Sequence, residues 1–167
     1  MTDKLPKTLS ALRIPSPLGE ILLAASPKGL AGAWFTQGQR DTPDASACTN
    51  TPDHALLQQA ARELNAYFAG TLRSFTLPLD LSSGTPFQQA VWHGLCTLGF
   101  GQTTSYGALA AQIGRPRAVR ALGAAVGANP VSVIVPCHRV IGANGALTGY
   151  SGGLERKVAL LALEGVR

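Results

Sequence analysis

The sequence predicts an α+β chain in two parts, a small mixed α/β N-terminal part and a mainly helical C-terminal one. Three observations carry this expectation. The apolar runs ILLAAS and LAGAWF flank Ser26-Pro27-Lys28-Gly29, a hairpin signal. Leu56, Leu57, Ala60, Ala61, Leu64, Tyr67 and Phe68 recur on one helical face. Beyond the linker-like Leu81-Ser82-Ser83-Gly84 the pattern changes to a series of short helices. The expected division is a domain over 1–81, a linker over 82–85 and a second domain over 86–167.

The elements follow in order. Residues 9–35 read as short strands joined by tight turns. Residues 36–53 are polar and turn-rich, a surface loop that carries Cys48. Asp53 precedes the helical pattern and Gly70 closes it. Phe75, Leu77, Leu79 and Leu81 alternate as a strand would. Thr85-Pro86-Phe87-Gln88 then opens a helix with a capping-box pair and proline at the first helical position. Helices are expected near 86–98, 105–113, 116–126 and 153–164.

The two middle helices are separated only by a short Gly-containing turn at Ile113-Gly114, a helix-turn-helix signature. The second would face DNA. It presents Arg117 and Arg120 among Ala118, Val119, Ala121, Gly123, Ala124 and Ala125, without the Gln or Asn that reads bases in a major groove. Such a face suits phosphates and a narrow groove. Tight packing against a neighbouring helix would account for the alanines as well, but not for the arginines.

Composition narrows the class further. The chain has 167 residues, 46% hydrophobic and 14% charged, which suits a globular protein rather than a disordered one. No signal peptide or membrane-spanning stretch is visible, and three cysteines without a C-x-x-C pair argue against a disulfide framework. A cytoplasmic location is expected, with no membrane partner. The net charge of +5 is one-sided. Seven basic and seven acidic residues balance up to residue 83, whereas seven basic residues then face only Glu155 and Glu164. A polyanionic partner is implied, nucleic acid first.

Residues 133–142 read VIVPCHRVIG. A thiol attacks as thiolate, so it needs a neighbour to lower its pKa or take its proton. His138 and Arg139 lie next in sequence. On an extended strand, however, adjacent side chains point to opposite faces. A reactive pair therefore requires Pro136 to turn the chain, or a water to bridge Cys137 and His138. Taken alone, the dipeptide fits a small buried cysteine better than a reactive pair.

PCHRV together with Asn129-Pro130, the helix carrying Arg120, the Ser105-Tyr106 start and the downstream GYSGG resembles the O6-alkylguanine-DNA alkyltransferase family, bacterial type. The resemblance is densest from Thr85 to Gly165. In the first half it rests on the SPLG turn and the AYFAG helix end. It implies a ribonuclease H-like N-terminal domain, a winged-helix-like C-terminal one, and single-turnover repair of O6-alkylguanine and O4-alkylthymine in duplex DNA. It also implies base flipping. By this resemblance Cys137 accepts the alkyl group, His138 acts on it through a water, and Glu164 orients the imidazole. Asn129 braces the turn, and Tyr106 protonates the departing guanine. Tyr150, Ser151, Val140 and Arg139 shape the base pocket. Arg120 is the wedge that fills the emptied stack, while Arg117, Ala118, Val119, Ala121, Gly123 and Tyr106 meet the minor groove. Val119 is bulkier than the alanine of the family pattern. Copies binding side by side along DNA would also fit. No cofactor is implied. Some relatives hold a structural zinc, but this N-terminal part offers only Cys48 and His54, and His93 with Cys96 read as helix packing, so no metal is expected.

Overall fold

The Ser26–Gly29 turn organises the N-terminal half. The structure, a computed structural model, describes residues 9–40, 42–46 and 48–166. The opening segment 1–8 with its basic residues, together with Asp41, Ala47 and Arg167, lies outside the described residues. The chain divides between Asp80 and Leu81 into two compact units.

In the first unit, β1 (Ser10–Ile14), β2 (Ile21–Ser26) and β3 (Gly29–Phe35) form an antiparallel meander. A short β4 (Thr49–Asn50) adds in parallel to β1, giving the order β3-β2-β1-β4. The turn works because the Ser26 hydroxyl accepts from Lys28 N at 3.1 Å and because Gly29 takes φ +154. A Cβ there would lie 2.7 Å from Pro78 O, so only glycine fits. Helix α1 (Ala55–Phe68) packs on the sheet and buries Leu57, Ala60, Leu64 and Tyr67. A separate cluster of Leu9, Ala11, Leu22, Ala24 and Trp34 contains no α1 residue and is covered in part by Ala45 and Cys48. β2 is thus buried along nearly its whole length, which explains why ILLAAS is apolar without alternation.

Two local expectations are corrected in this unit. The 36–53 segment is not wholly a surface loop: it supplies β4, and Gln39 Oε1 takes the buried Phe35 N–H at 2.8 Å. α1 follows Asp53 and is capped by His54, whose Nδ1 accepts from Leu56 N and Leu57 N at 3.2 and 3.4 Å. The Phe75–Leu81 alternation yields no strand. It makes one parallel bridge, Leu30 to Leu79, because Leu30 bonds Pro78 O and Asp80 N on either side and Pro78 has no N–H to extend a ladder.

The second unit opens with α2 (Pro86–Cys96), capped by the reciprocal Thr85/Gln88 box with Pro86 in the first turn. β5 (Thr104–Ser105), α3 (Tyr106–Gln112) and α4 (Val119–Gly127) follow. Then come a 3₁₀ turn (Cys137–Arg139), β6 (Val140–Ile141), which pairs in parallel with β5, and α5 (Leu154–Leu163). α2 packs on both α3 and α4, and Trp92 Nε1 donates to Ala125 O at 2.8 Å across that contact. α3 is capped by the Ser105 hydroxyl, and Gly114, φ +75, follows its C-cap Ile113. α4 begins at Val119, three residues later than Pro116 suggests, because Arg115–Ala118 close a turn, Ala118 N to Arg115 O at 2.9 Å. No helix among the described residues is long and apolar enough to cross a membrane.

Candidate active site and nucleic-acid interface

The segment from Asn129 to Arg139 leaves α4 and delivers the thiol. Asn129 is buried and braces it, with Oδ1 accepting from Val131 N at 2.9 Å and Nδ2 donating to Val135 O at 2.8 Å. Between those anchors Val133 stands at φ +71, with Ile134 N bonded to Ser132 O at 2.8 Å. That is a γ-turn in a region β-branched residues rarely enter. Pro136 (φ −84, ψ 63) makes a second tight turn, with Cys137 N on Val135 O at 2.8 Å. Cys137, His138 and Arg139 therefore lie on a 3₁₀ turn rather than an extended strand. Successive side chains fan apart by about 120° at three residues per turn, not by the half-turn of a strand.

His138 is fully buried, and its Nε2 lies 2.7 Å from Glu164 Oε2. Glu164 stands at the end of α5 and is held by more than the imidazole. Arg139 Nε and Nη2 donate to its two oxygens at 2.8 and 3.0 Å, and Gly101 N donates to Oε1 at 3.1 Å. Arg139 Nη1 closes the set on Leu98 O at 2.7 Å. A carboxylate gripped by a guanidinium is ionised and can only accept, so His138 Nε2 carries the proton. Nδ1, buried and without a hydrogen-bonding protein partner, is then the basic nitrogen.

Burial pushes the Cys137 thiol up to about 11, against the opposing pull of hydrogen bonds from Asn129 and Tyr150 and of the Lys157 charge. Burial also lowers the His138 pKa. Glu164 works against that shift, while the Arg139 and Lys157 charges reinforce it. The resting site is a protonated thiol beside a neutral imidazole.

The remaining pocket residues gather around this turn. Ser151 is buried, and the Tyr150 ring folds so closely over Gly152 that a Cβ there would meet it at 2.7 Å. Tyr106, the first residue of α3, reaches Thr148 O with its hydroxyl at 3.5 Å. The Val140 carbonyl is occupied by Lys157 Nζ at 2.6 Å. Arg139 gives its guanidinium to Glu164 and Leu98, and so works as a buried brace in this structure.

Arg117 and Ala118 sit in the turn before α4, Val119 and Arg120 open the helix, and Arg120, Ala121 and Ala124 are exposed. Gly123 faces the Tyr106 ring, at 3.9 Å from an added Cβ. Arg115, Pro116, Arg117 and Ala118 line an open depression of about 360 Å³. His93 and Cys96 are exposed on α2 rather than packed, which corrects the expectation for both.

Lys157 is the residue that the sequence reading missed. Fully buried on α5, it donates to Val140 O, Thr148 O and Gly149 O at 2.6, 2.8 and 3.3 Å. The available signal was its spacing: Lys157, Leu160, Leu161 and Glu164 fall on one helical face, so two charges sit on the buried stripe.

A helical unit with a helix-turn-helix and a buried cysteine, histidine and glutamate, preceded by a small α/β unit, defines a class: a helix-turn-helix protein with a buried thiol site. Comparison with known proteins places it within that class. Residues 13–81 match the family model described as 6-O-methylguanine DNA methyltransferase, ribonuclease-like domain, and residues 86–166 match its DNA binding domain. The methylated-DNA–protein-cysteine methyltransferase of Mycobacterium bovis is 50% identical over 90% of this chain and 89% of its own. That of Methanosarcina acetivorans is 47% identical over 90% and 94%. A crystal structure of Mycobacterium tuberculosis OGT in complex with DNA superposes with a TM-score of 0.85 at 48% identity, covering 93% of this chain and 92% of that one. The chain belongs to the 6-O-methylguanine DNA methyltransferase family.

Proposed function

We propose that the protein repairs DNA by direct reversal, moving the alkyl group of O6-alkylguanine, and of O4-alkylthymine, onto Cys137. The observation that carries this reading is that the segment leaving α4 sets Cys137 and His138 together on a buried 3₁₀ turn, with His138 Nε2 2.7 Å from Glu164 at the end of α5.

The α4 face of arginines and small residues lies in the minor groove. Its N-terminus has no side-chain cap, so free backbone N–H groups with Arg115 and Arg117 suit phosphates. The lesion lies inside the duplex and must be extruded. Arg120, exposed at the helix start, fills the gap. His138 Nδ1 takes the thiol proton through a water, with Glu164 holding the ring. The thiolate attacks the alkyl carbon. The S–C bond forms, the C–O6 bond breaks, and the electron pair stays on the guanine, which the Tyr106 hydroxyl protonates. Tyr150 and Ser151 line the base pocket. The thioether offers no easy return, so each molecule acts once.

Stoichiometry tests the reading. Excess duplex carrying O6-methylguanine should be repaired to one lesion per protein and no further, with none repaired by Cys137→Ala. Continued turnover, or tight binding with no repair, refutes it; the latter would mark a non-catalytic reader of alkylated DNA. The same titration on longer duplexes reads whether copies bind cooperatively.

A further inference from the structure

The second unit contains only two acidic side chains, Glu155 and Glu164. Glu155 is exposed in the first turn of α5, and Glu164 is taken by His138, Arg139 and Gly101. Lys157, with no exposed surface, therefore has three carbonyls for its three N–H groups but no carboxylate for its charge. A buried cation without a counter-ion is costly. α5 packs on the Cys137–Arg139 turn, and Lys157 reaches the Val140 carbonyl just beyond it; burial raises the thiol pKa and lowers the ammonium's, and against those shifts the ammonium draws the thiol down and the thiolate draws the ammonium up.

We propose that Lys157 is the counter-ion of the reacting Cys137 thiolate, and that its grip on the Val140, Thr148 and Gly149 carbonyls fixes the GYSGG loop against the cysteine turn. It is a positioning residue that acts through Cys137, and the inference rests on the alkyl-transfer reading. The charge count supports it. Arg139 and Glu164 cancel, so with a thiol and a neutral imidazole the buried set carries the Lys157 charge alone. Once His138 has taken the thiol proton and passed it on to solvent the set is neutral, whereas a proton retained on His138 leaves the excess in place. Lys157 thus favours a thiolate with a neutral His138. Tyr106 and Tyr150 are the other titratable side chains at the turn, and neither brings a carboxylate to Lys157.

The test is the pH dependence of methyl transfer from an O6-methylguanine duplex in the full chain, wild type against Lys157→Met and Lys157→Arg. Wild-type transfer comes first; if wild type transfers nothing, the family reaction fails and not this inference alone. With wild type active, Lys157→Met should slow transfer at least tenfold at neutral pH and move its profile at least one pH unit upward. Lys157→Arg should keep the profile of wild type, and duplex affinity should be unchanged in both. A folded Lys157→Met with the wild-type profile overturns the proposal. If Lys157→Met does not fold, the Lys157 side-chain NMR titration in native protein replaces it. Its midpoint should fall once Cys137 is methylated, and an unchanged midpoint overturns the proposal equally.

Discussion

Glu164 holds His138 Nε2 at 2.7 Å while the same carboxylate grips Arg139 Nε at 2.8 Å. The pairing keeps the imidazole oriented while burial holds its pKa down; Glu164 pulls against that shift, and the Arg139 guanidinium offsets part of the carboxylate's pull. Glu164→Gln should therefore do two things. Methyl transfer should slow, and the fold should lose about 3–5 kcal/mol by denaturant titration, the usual cost of breaking a buried ion pair from one side. Full retention of both would mean that Glu164 is peripheral.

The alkaline limit of stability follows from Cys137. Its folded-state value of about 11 lies above its ordinary 9.0, so the folded protein holds the proton more tightly than the unfolded chain. The stabilisation is complete below pH 9 and is lost as the pH rises through about 11. Thermal melts of Cys137→Ala against wild type across that window should converge from the wild-type side.

The acidic limit follows from His138. Its pKa is lowered in the fold, so the unfolded chain binds the proton first. Stability should be full above about pH 6.5 and fall as the pH drops below it. His138→Gln should flatten that part of the profile and slow transfer. A profile unchanged by the substitution would contradict a buried neutral imidazole.

Arg120 is exposed in the first turn of α4. Arg120→Ala should leave stability within about 0.5 kcal/mol. It should slow repair of duplex DNA far more than reaction with free O6-alkylguanine base. Equal loss on both substrates would remove it from base extrusion.

Asn129→Ala should cost about 1–3 kcal/mol, since it strands the buried Val131 N–H and Val135 carbonyl. Because those bonds hold the turn that presents Cys137, transfer should also slow.

Much of this was legible in the sequence where the cause is local. The Thr85/Gln88 box, the Ser26–Gly29 turn and the apolar face of α1 are each fixed by residues within a few positions of one another, and they stand where the pattern puts them. Features decided by distant partners were not. Phe75–Leu81 alternates like a strand but finds backbone partners only at Leu30. Pro116 looks like a helix start, yet the turn from Arg115 delays α4 to Val119. The Cys-His adjacency could not disclose the 3₁₀ turn, because Val133 and Pro136 adopt their turns under tertiary packing. Lys157 escaped notice because its partners are main-chain carbonyls, which no side-chain motif records.

The most direct measurement is tandem mass spectrometry of the protein after incubation with a duplex bearing a ¹³C-labelled methyl on guanine O6. The account predicts one labelled methyl per chain, on Cys137, with Cys48 and Cys96 unlabelled. An unlabelled Cys137, or label on another residue, would contradict it.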